Sequence, residues 1–123
     1  MAVLGRNAKI TAGCSQRGSL GAMLTEVFGC RRITPRKDTD VFAFADGSSL
    51  GVCFVANDEA LSPEQLRRGA WLELSVEEPE ATLAALARIG LTPFEYSDKQ
   101  HHYFQAPGGQ VFRLAPQTEE DSR

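Results

Sequence analysis

Few residues in this chain are equipped for chemistry. Trp71 is the only tryptophan, and it opens the run Trp71-Leu72-Glu73-Leu74-Ser75-Val76. On a strand, neighbouring side chains point to opposite faces. Trp71, Glu73 and Ser75 therefore share one face, and Leu72, Leu74 and Val76 share the other. The closing run sorts alike, with Val111 and Arg113 opposite Phe112 and Leu114. Near the start, Lys9, Thr11 and Gly13 oppose Ile10 and Ala12. Lys9, Trp71, Glu73 and Arg113 are the candidate ligand-binding set. An indole flanked by cations is a platform for a flat ligand bearing carbonyls or negative charge. Stacking supplies area and the cations fix orientation. In the alternative, Glu73 and Arg113 pair across the sheet and Trp71 fills the space.

His101 and His102 are adjacent and are the only histidines. On a strand they would face apart, so both could not hold one metal. Either could act as an acid or base, because a free imidazole titrates near neutrality; the other reading is an exposed hairpin pair. Cys53 has the parity of Gly51, and a nucleophilic role would need a base and an electropositive setting. Cys14, Cys30 and Cys53 are odd in number and lack C-x-x-C spacing. No disulfide framework is expected, a reducing cytoplasm fits, and each cysteine reads as a small buried hydrophobe. No phosphate-cradling glycine motif or serine-nucleophile elbow occurs.

The elements that must position these residues form one domain, since the chain has 123 residues. Its 42% hydrophobic and 24% charged content is an ordinary globular balance. The net charge of −3 is spread out, with no basic block, so nucleic acid is not expected as a partner. No apolar run approaches the ~20 residues of a membrane span, and no signal-peptide core stands at the start.

Strands are expected over 8–14, from Cys30, over Val41–Ala45 and over Leu50–Val55, with Asp46-Gly47 as a turn. Leu20, Met23, Leu24, Val27 and Phe28 form the apolar stripe of a first helix that ends at Gly29. A polar connection over 56–69 contains Ser62-Pro63-Glu64-Gln65, a capping box with proline at the first helical position. The strand from Trp71 follows, then a helix with the stripe Leu83, Leu86 and Ala87, ended by Gly90. Strands over 93–96, 103–105 and 111–114 close the chain, with Ala106-Pro107-Gly108-Gly109 turning the last hairpin. Residues 116–123 read as a charged, loose tail.

This order is a repeat. Lys9 aligns with Trp71, Gly29 with Gly90, Gly47 with Gly109, Leu50 with Phe112 and position 51 with position 113. The expected class is α+β: two βαβββ modules in pseudo-two-fold arrangement, over about 8–55 and 70–115. Their sheets are expected to curl into a half-open barrel around a cleft, with the helices outside.

Two segments carry a resemblance, WLELSVEEPEATLAALARIG (71–90) and FQAPGGQVFRL (104–114), with support from SLGAMLTEVFGC (19–30). They resemble the vicinal oxygen chelate superfamily of glyoxalase, extradiol dioxygenase and bleomycin-resistance-type proteins. The second segment is similar to the family's closing D-P-D-G-N-x-x-E-L stretch. The A-W-x-E stretch, Ala70 to Glu73, is similar to that of bleomycin-resistance-type binding proteins. The resemblance implies the paired fold and, in the family's enzymes, one divalent metal held by His, Glu or Gln at four strand positions. Those positions here carry Lys9, Gly51, Trp71 and Arg113. Ammonium and guanidinium groups offer a cation no lone pair, and glycine and indole offer no ligand. No metal or other cofactor is therefore expected.

The function expected is metal-free binding of a small molecule, a planar aromatic or anionic metabolite or an antibiotic to be sequestered. The alternative is a lyase- or dioxygenase-type enzyme with non-standard site residues, or a metal-independent isomerase using Glu73 or a histidine as base. A third reading is a partner-binding module with a filled cleft. Relatives of this type commonly pair, so a homodimer is expected.

Overall fold

The structure, a computed structural model, is described for residues 1–117. Its chain separates into two compact units, Met1–Ala60 and the segment from Leu61 onward.

In the first unit, β1 (Asn7–Gly13) leads through a short turn into α1 (Arg17–Ala22). The chain continues as a wider π-turn over Met23–Val27, then as β2 (Arg31–Arg36), β3 (Thr39–Ala43) and β4 (Ser49–Val55). The sheet order is β1-β4-β3-β2, with β1 parallel to β4 and the other pairs antiparallel. Leu20, Met23, Leu24, Phe42 and Val52 are fully buried, and Leu50 and Phe54 are buried beside them in the same core. Val27 and Phe28, expected on the same stripe, are only half-buried. The π-turn is the reason: the Phe28 N–H reaches back to the Met23 carbonyl at 3.3 Å and the Cys30 N–H to that of Leu24 at 2.9 Å. Widening the helix breaks the 3.6-residue spacing that would have kept them in line.

Among the described residues one charged group is buried in this core. Asp40 is 1% exposed. Arg17 donates to its two oxygens at 3.0 and 2.8 Å, and the Thr34 hydroxyl donates at 2.8 Å. Arg17 also donates to the Lys37 carbonyl at 2.7 Å, so one side chain ties α1 to the β2–β3 hairpin.

The second unit begins with α2 (Pro63–Arg67). The Ser62 side chain accepts from the Gln65 N–H at 3.2 Å, and Gln65 returns a bond to the Ser62 N–H at 2.8 Å, completing the expected capping box. Next come β5 (Trp71–Val76), α3 (Pro79–Arg88), β6 (His102–Gln105) and β7 (Val111–Pro116). The order is β5-β7-β6, with β5 parallel to β7. α3 presents Leu86 to the core, but Ala87 is exposed. It closes with the Gly90 N–H on the Ala87 carbonyl and the Leu91 N–H on that of Leu86, and Gly90 takes φ 84°.

The strand expected over 93–96 shrinks to one bridge, Phe94 to Tyr103. Pro93 has no N–H to extend a ladder. Beyond Tyr96 the chain is turned back by Asp98, whose side chain accepts from the Gln100 N–H at 2.8 Å. The sheet therefore has three strands where four were expected. The charged tail expected from 116 begins inside β7, and its residues 118–123 lie outside the described residues.

The repeat survives in hydrogen bonds. The Phe44 N–H meets the Ser48 carbonyl and the Gly47 N–H that of Phe44; Ala106, Gln110 and Gly109 repeat both bonds. Gly47 and Gly109 are thus equivalent, and so are Gly51 and Arg113. Lys9 pairs with Gly51 and Glu73 pairs with Arg113. The repeat partner of Lys9 is therefore Glu73, not Trp71 as alignment by eye gives. β5 lies two residues nearer its hairpin in sequence than β1 does, a shift that preserves parity and so leaves the face assignments intact.

Candidate ligand-binding site

Three candidates come together on one face of the second sheet. Glu73 on β5 stands opposite Arg113 on β7, which stands opposite Tyr103 on β6, making one row across all three strands. Side chains directly opposite each other project to the same face and touch. Arg113 donates to Glu73 through Nε at 2.8 Å and also through Nη2. Its guanidinium carbon lies 4.0 Å from the Trp71 ring centroid. Glu73 and Arg113 do pair across the sheet, yet Trp71 remains 36% exposed. The indole is thus held by its cation and still offers surface.

Behind the indole lies an aromatic wall. Tyr103 is 2% exposed. Its ring meets Trp71 edge-on at 6.0 Å and Tyr96 edge-on at 4.3 Å, with Phe94 tilted at 6.5 Å. Arg67 on α2 covers Phe94, its guanidinium carbon 4.3 Å from the ring centroid. Gln105 fastens α2 to the final hairpin. It accepts from Arg67 Nε at 2.9 Å and donates to the carbonyls of Pro63 at 2.8 Å and Gly109 at 2.9 Å. Gly109 has φ 103°, and a Cβ there would sit 2.9 Å from Pro63 Cα, so glycine is required twice over.

Asp98 was not among the candidates, yet its carboxylate is the node of the polar network. Oδ1 accepts the Gln100 N–H, while Oδ2 accepts from the Tyr103 hydroxyl at 2.9 Å and stands 2.7 Å from His101 Nδ1. Arg113 Nη1 lies 3.7 Å from the same oxygen. Those donors, the Gln100 N–H first and then His101 and Tyr103, pull the Asp98 carboxyl down to about 2. The Tyr103 hydroxyl, ahead of Glu73, strengthens the hold of Arg113 on its proton. No sequence signal singled out Asp98, because its partners are assembled by the sheet register.

Lys9 belongs to the first unit. Its ammonium donates to Thr11 on the same strand at 3.0 Å, and Gly51 is its cross-strand partner. His102 is exposed, with Nε2 3.8 Å from Glu80. The cysteines are all free. Cys30 is buried, and burial pushes its thiol up to about 12. Cys14 is exposed rather than buried, because it stands in the turn after β1 beside Asn57. Cys53 is half-buried on β4, across from Thr11 and Thr39.

A divalent metal does not fit the strand positions that resemblance marks for one. The corrected register exchanges Trp71 for Glu73, a carboxylate, but Lys9, Gly51 and Arg113 still supply no ligand and Glu73 is occupied by Arg113. Packing does not impose glycine at 51, since a Cβ there would meet nothing nearer than 3.8 Å. Among the described residues no three of His, Cys, Asp and Glu gather to hold an ion.

No family model and no curated protein matches this sequence. Solved structures do. The fosfomycin resistance protein FosX from Listeria monocytogenes, complexed with Mn(II) and sulfate, is 14% identical with a TM-score of 0.71, over 98% of this chain and 94% of its own. The chain has the vicinal oxygen chelate fold. A possible glyoxalase from Bacillus cereus shares that fold at 18% identity and TM-score 0.68, over 92% of this chain and 98% of its own. A glyoxalase/bleomycin resistance protein from Albidiferax ferrireducens does so at 15% identity and TM-score 0.64, over 91% and 97%. The FosX structure is complexed with Mn(II); the second sheet of our chain carries an arginine–glutamate pair with a tryptophan against the arginine. Among the described residues no helix is long and apolar enough to cross a membrane.

Proposed function

We propose that this protein binds a small planar ligand without a metal, stacking it on Trp71. One observation carries the reading: the indole is braced by Arg113 at 4.0 Å and still 36% exposed. An indole wanted only for packing would be covered. The wall of Tyr96 and Tyr103 fixes its orientation, and a fixed aromatic loses little entropy on binding. Glu73 already holds the Arg113 guanidinium at two nitrogens, so an anionic ligand must displace a carboxylate. A flat aromatic ligand with polar edges is favoured over a small compact anion. Ligand contacts are assigned to Trp71, Glu73 and Arg113, with Lys9 kept as a candidate to be read by Lys9→Ala.

Sequestration of a metabolite or an antibiotic is the role this chemistry suits, in a reducing cytoplasm that leaves three thiols free. The assembly is proposed to be a homodimer, and a single monomeric species in sedimentation at tens of micromolar would exclude it. The binding reading is tested by thermal shift with planar aromatic acids and antibiotics, with and without chelator. Stabilisation by at least one compound, unaltered by chelator, is expected. A response that depends on added metal would overturn the reading.

A further inference from the structure

We propose that His101 is a general base for a ligand stacked on Trp71, with Asp98 as its positioning residue. This rests on the binding reading above and extends it from holding a ligand to moving a proton.

The argument starts from one proton. His101 Nδ1 and Asp98 Oδ2 are 2.7 Å apart. A contact that short needs a hydrogen between them, and a carboxyl held down near 2 has none to give. The hydrogen sits on Nδ1. Neutral His101 therefore carries its free lone pair on Nε2, the nitrogen that no described residue engages. Asp98 is held in turn by the Gln100 N–H and the Tyr103 hydroxyl, so the imidazole is oriented by a group that is itself fixed. A base, an orienter and an orienter's anchor form the arrangement that makes a side chain an effective proton acceptor.

The same carboxylate ties the imidazole to the indole. Asp98 Oδ2 takes the hydroxyl of Tyr103, whose ring meets Trp71 at 6.0 Å, and lies 3.7 Å from the Arg113 that covers Trp71. His101 contacts Asp98 on its own loop, and that carboxylate joins it to Tyr103 on β6 and, at 3.7 Å, to Arg113 on β7, which holds Glu73 on β5. Glu73 is the weaker candidate for base, because Arg113 engages it at two nitrogens. His102 is exposed and its one charged neighbour is Glu80. The ligand class is a planar aromatic with an acidic C–H or N–H at its edge, and the step is proton abstraction.

Nitrobenzisoxazole is a flat aromatic probe for that step and needs no co-reactant. The base takes the ring C–H proton, the C–H electron pair becomes the third bond of a nitrile, the N–O bond breaks, and the oxygen leaves as a phenolate. The proton on Nε2 then passes to water. Release of the coloured phenolate and quenching of Trp71 emission are read together on the full chain. Wild type is expected to quench and to turn over with saturation. His101→Gln should keep the quench and lose about 100-fold in rate, the usual contribution of a general base. Asp98→Asn should keep the quench and lower kcat with KM little changed, because the imidazole loses the acceptor that orients its Nδ1–H. Quenching with turnover that His101→Gln leaves unchanged overturns the proton-transfer role and leaves binding intact. No quenching and no saturable turnover overturns both.

Discussion

Arg113 stands two residues beyond Val111, the cross-strand partner of Trp71, yet its guanidinium lies 4.0 Å from the indole centroid. Glu73, on the indole's own strand, makes the contact by pulling Arg113 across from β7 through two nitrogens. The plane of the guanidinium serves both partners, its edge for the carboxylate and its face for the ring. Lysine has no such plane. Arg113→Lys should lower stability in urea unfolding by about 1 kcal/mol, the scale of a partly exposed ion pair with a cation–π contact. It should also weaken any planar ligand. A fully stable variant with unchanged affinity would mean that the stack is incidental.

Acid should expose the carboxylate network. The Asp98 carboxyl is held down at about 2 by Gln100, His101 and Tyr103, and Asp40 is lowered mainly by Arg17. A carboxyl that loses its proton more readily in the folded chain stabilises it above the unfolded value near ~3.9. That contribution fades as pH falls from about 4 towards the folded value of about 2. Stability by urea unfolding should fall across this window, and Asp98→Asn should flatten the fall. A parallel curve for the variant would remove Asp98 from the network.

Arg17 and Asp40 give a larger effect. Arg17→Met leaves a carboxylate that is 1% exposed with Thr34 as its remaining side-chain donor. A loss of about 3 kcal/mol is expected, the cost of stranding one member of a buried pair. The double variant Arg17→Met, Asp40→Leu should recover much of it. Equal losses in the single and double variants would show that the charge is not what matters.

Much of this arrangement was readable before the structure. Parity along β5 and β7 placed Trp71, Glu73 and Arg113 on one face, because a strand allows its side chains only two directions. The turns at Gly47 and Gly109 were readable because positive φ restricts the choice of residue. The π-turn after Ala22 was hidden, since Val27 and Phe28 fit an ordinary helix as well. The two-residue shift between β1 and β5 was hidden because it keeps parity. Asp98 was missed for a different reason: a turn aspartate acquires meaning only when separate strands bring Tyr103 and Arg113 to it.

Metal content follows from the donors. Lys9, Gly51 and Arg113 supply no ligand, so purified protein should hold no stoichiometric zinc, manganese, nickel or iron by elemental analysis. Added Mn(II) or Zn(II) should leave the melting temperature unmoved. About one metal per chain, removable by chelator with loss of stability, would contradict this.

The central claim is that Trp71 is kept partly exposed in order to bind. Titration of Trp71→Ala with the tightest planar ligand from the thermal-shift panel, set beside its melting temperature, tests it most directly. The account predicts that affinity falls by about 5- to 150-fold, the equivalent of about 1–3 kcal/mol of stacking and burial, while the melting temperature falls by only a few degrees through the lost contacts with Arg113 and Tyr103. A variant that melts markedly lower yet binds the ligand as tightly as wild type would show that the indole is packing and that the site lies elsewhere.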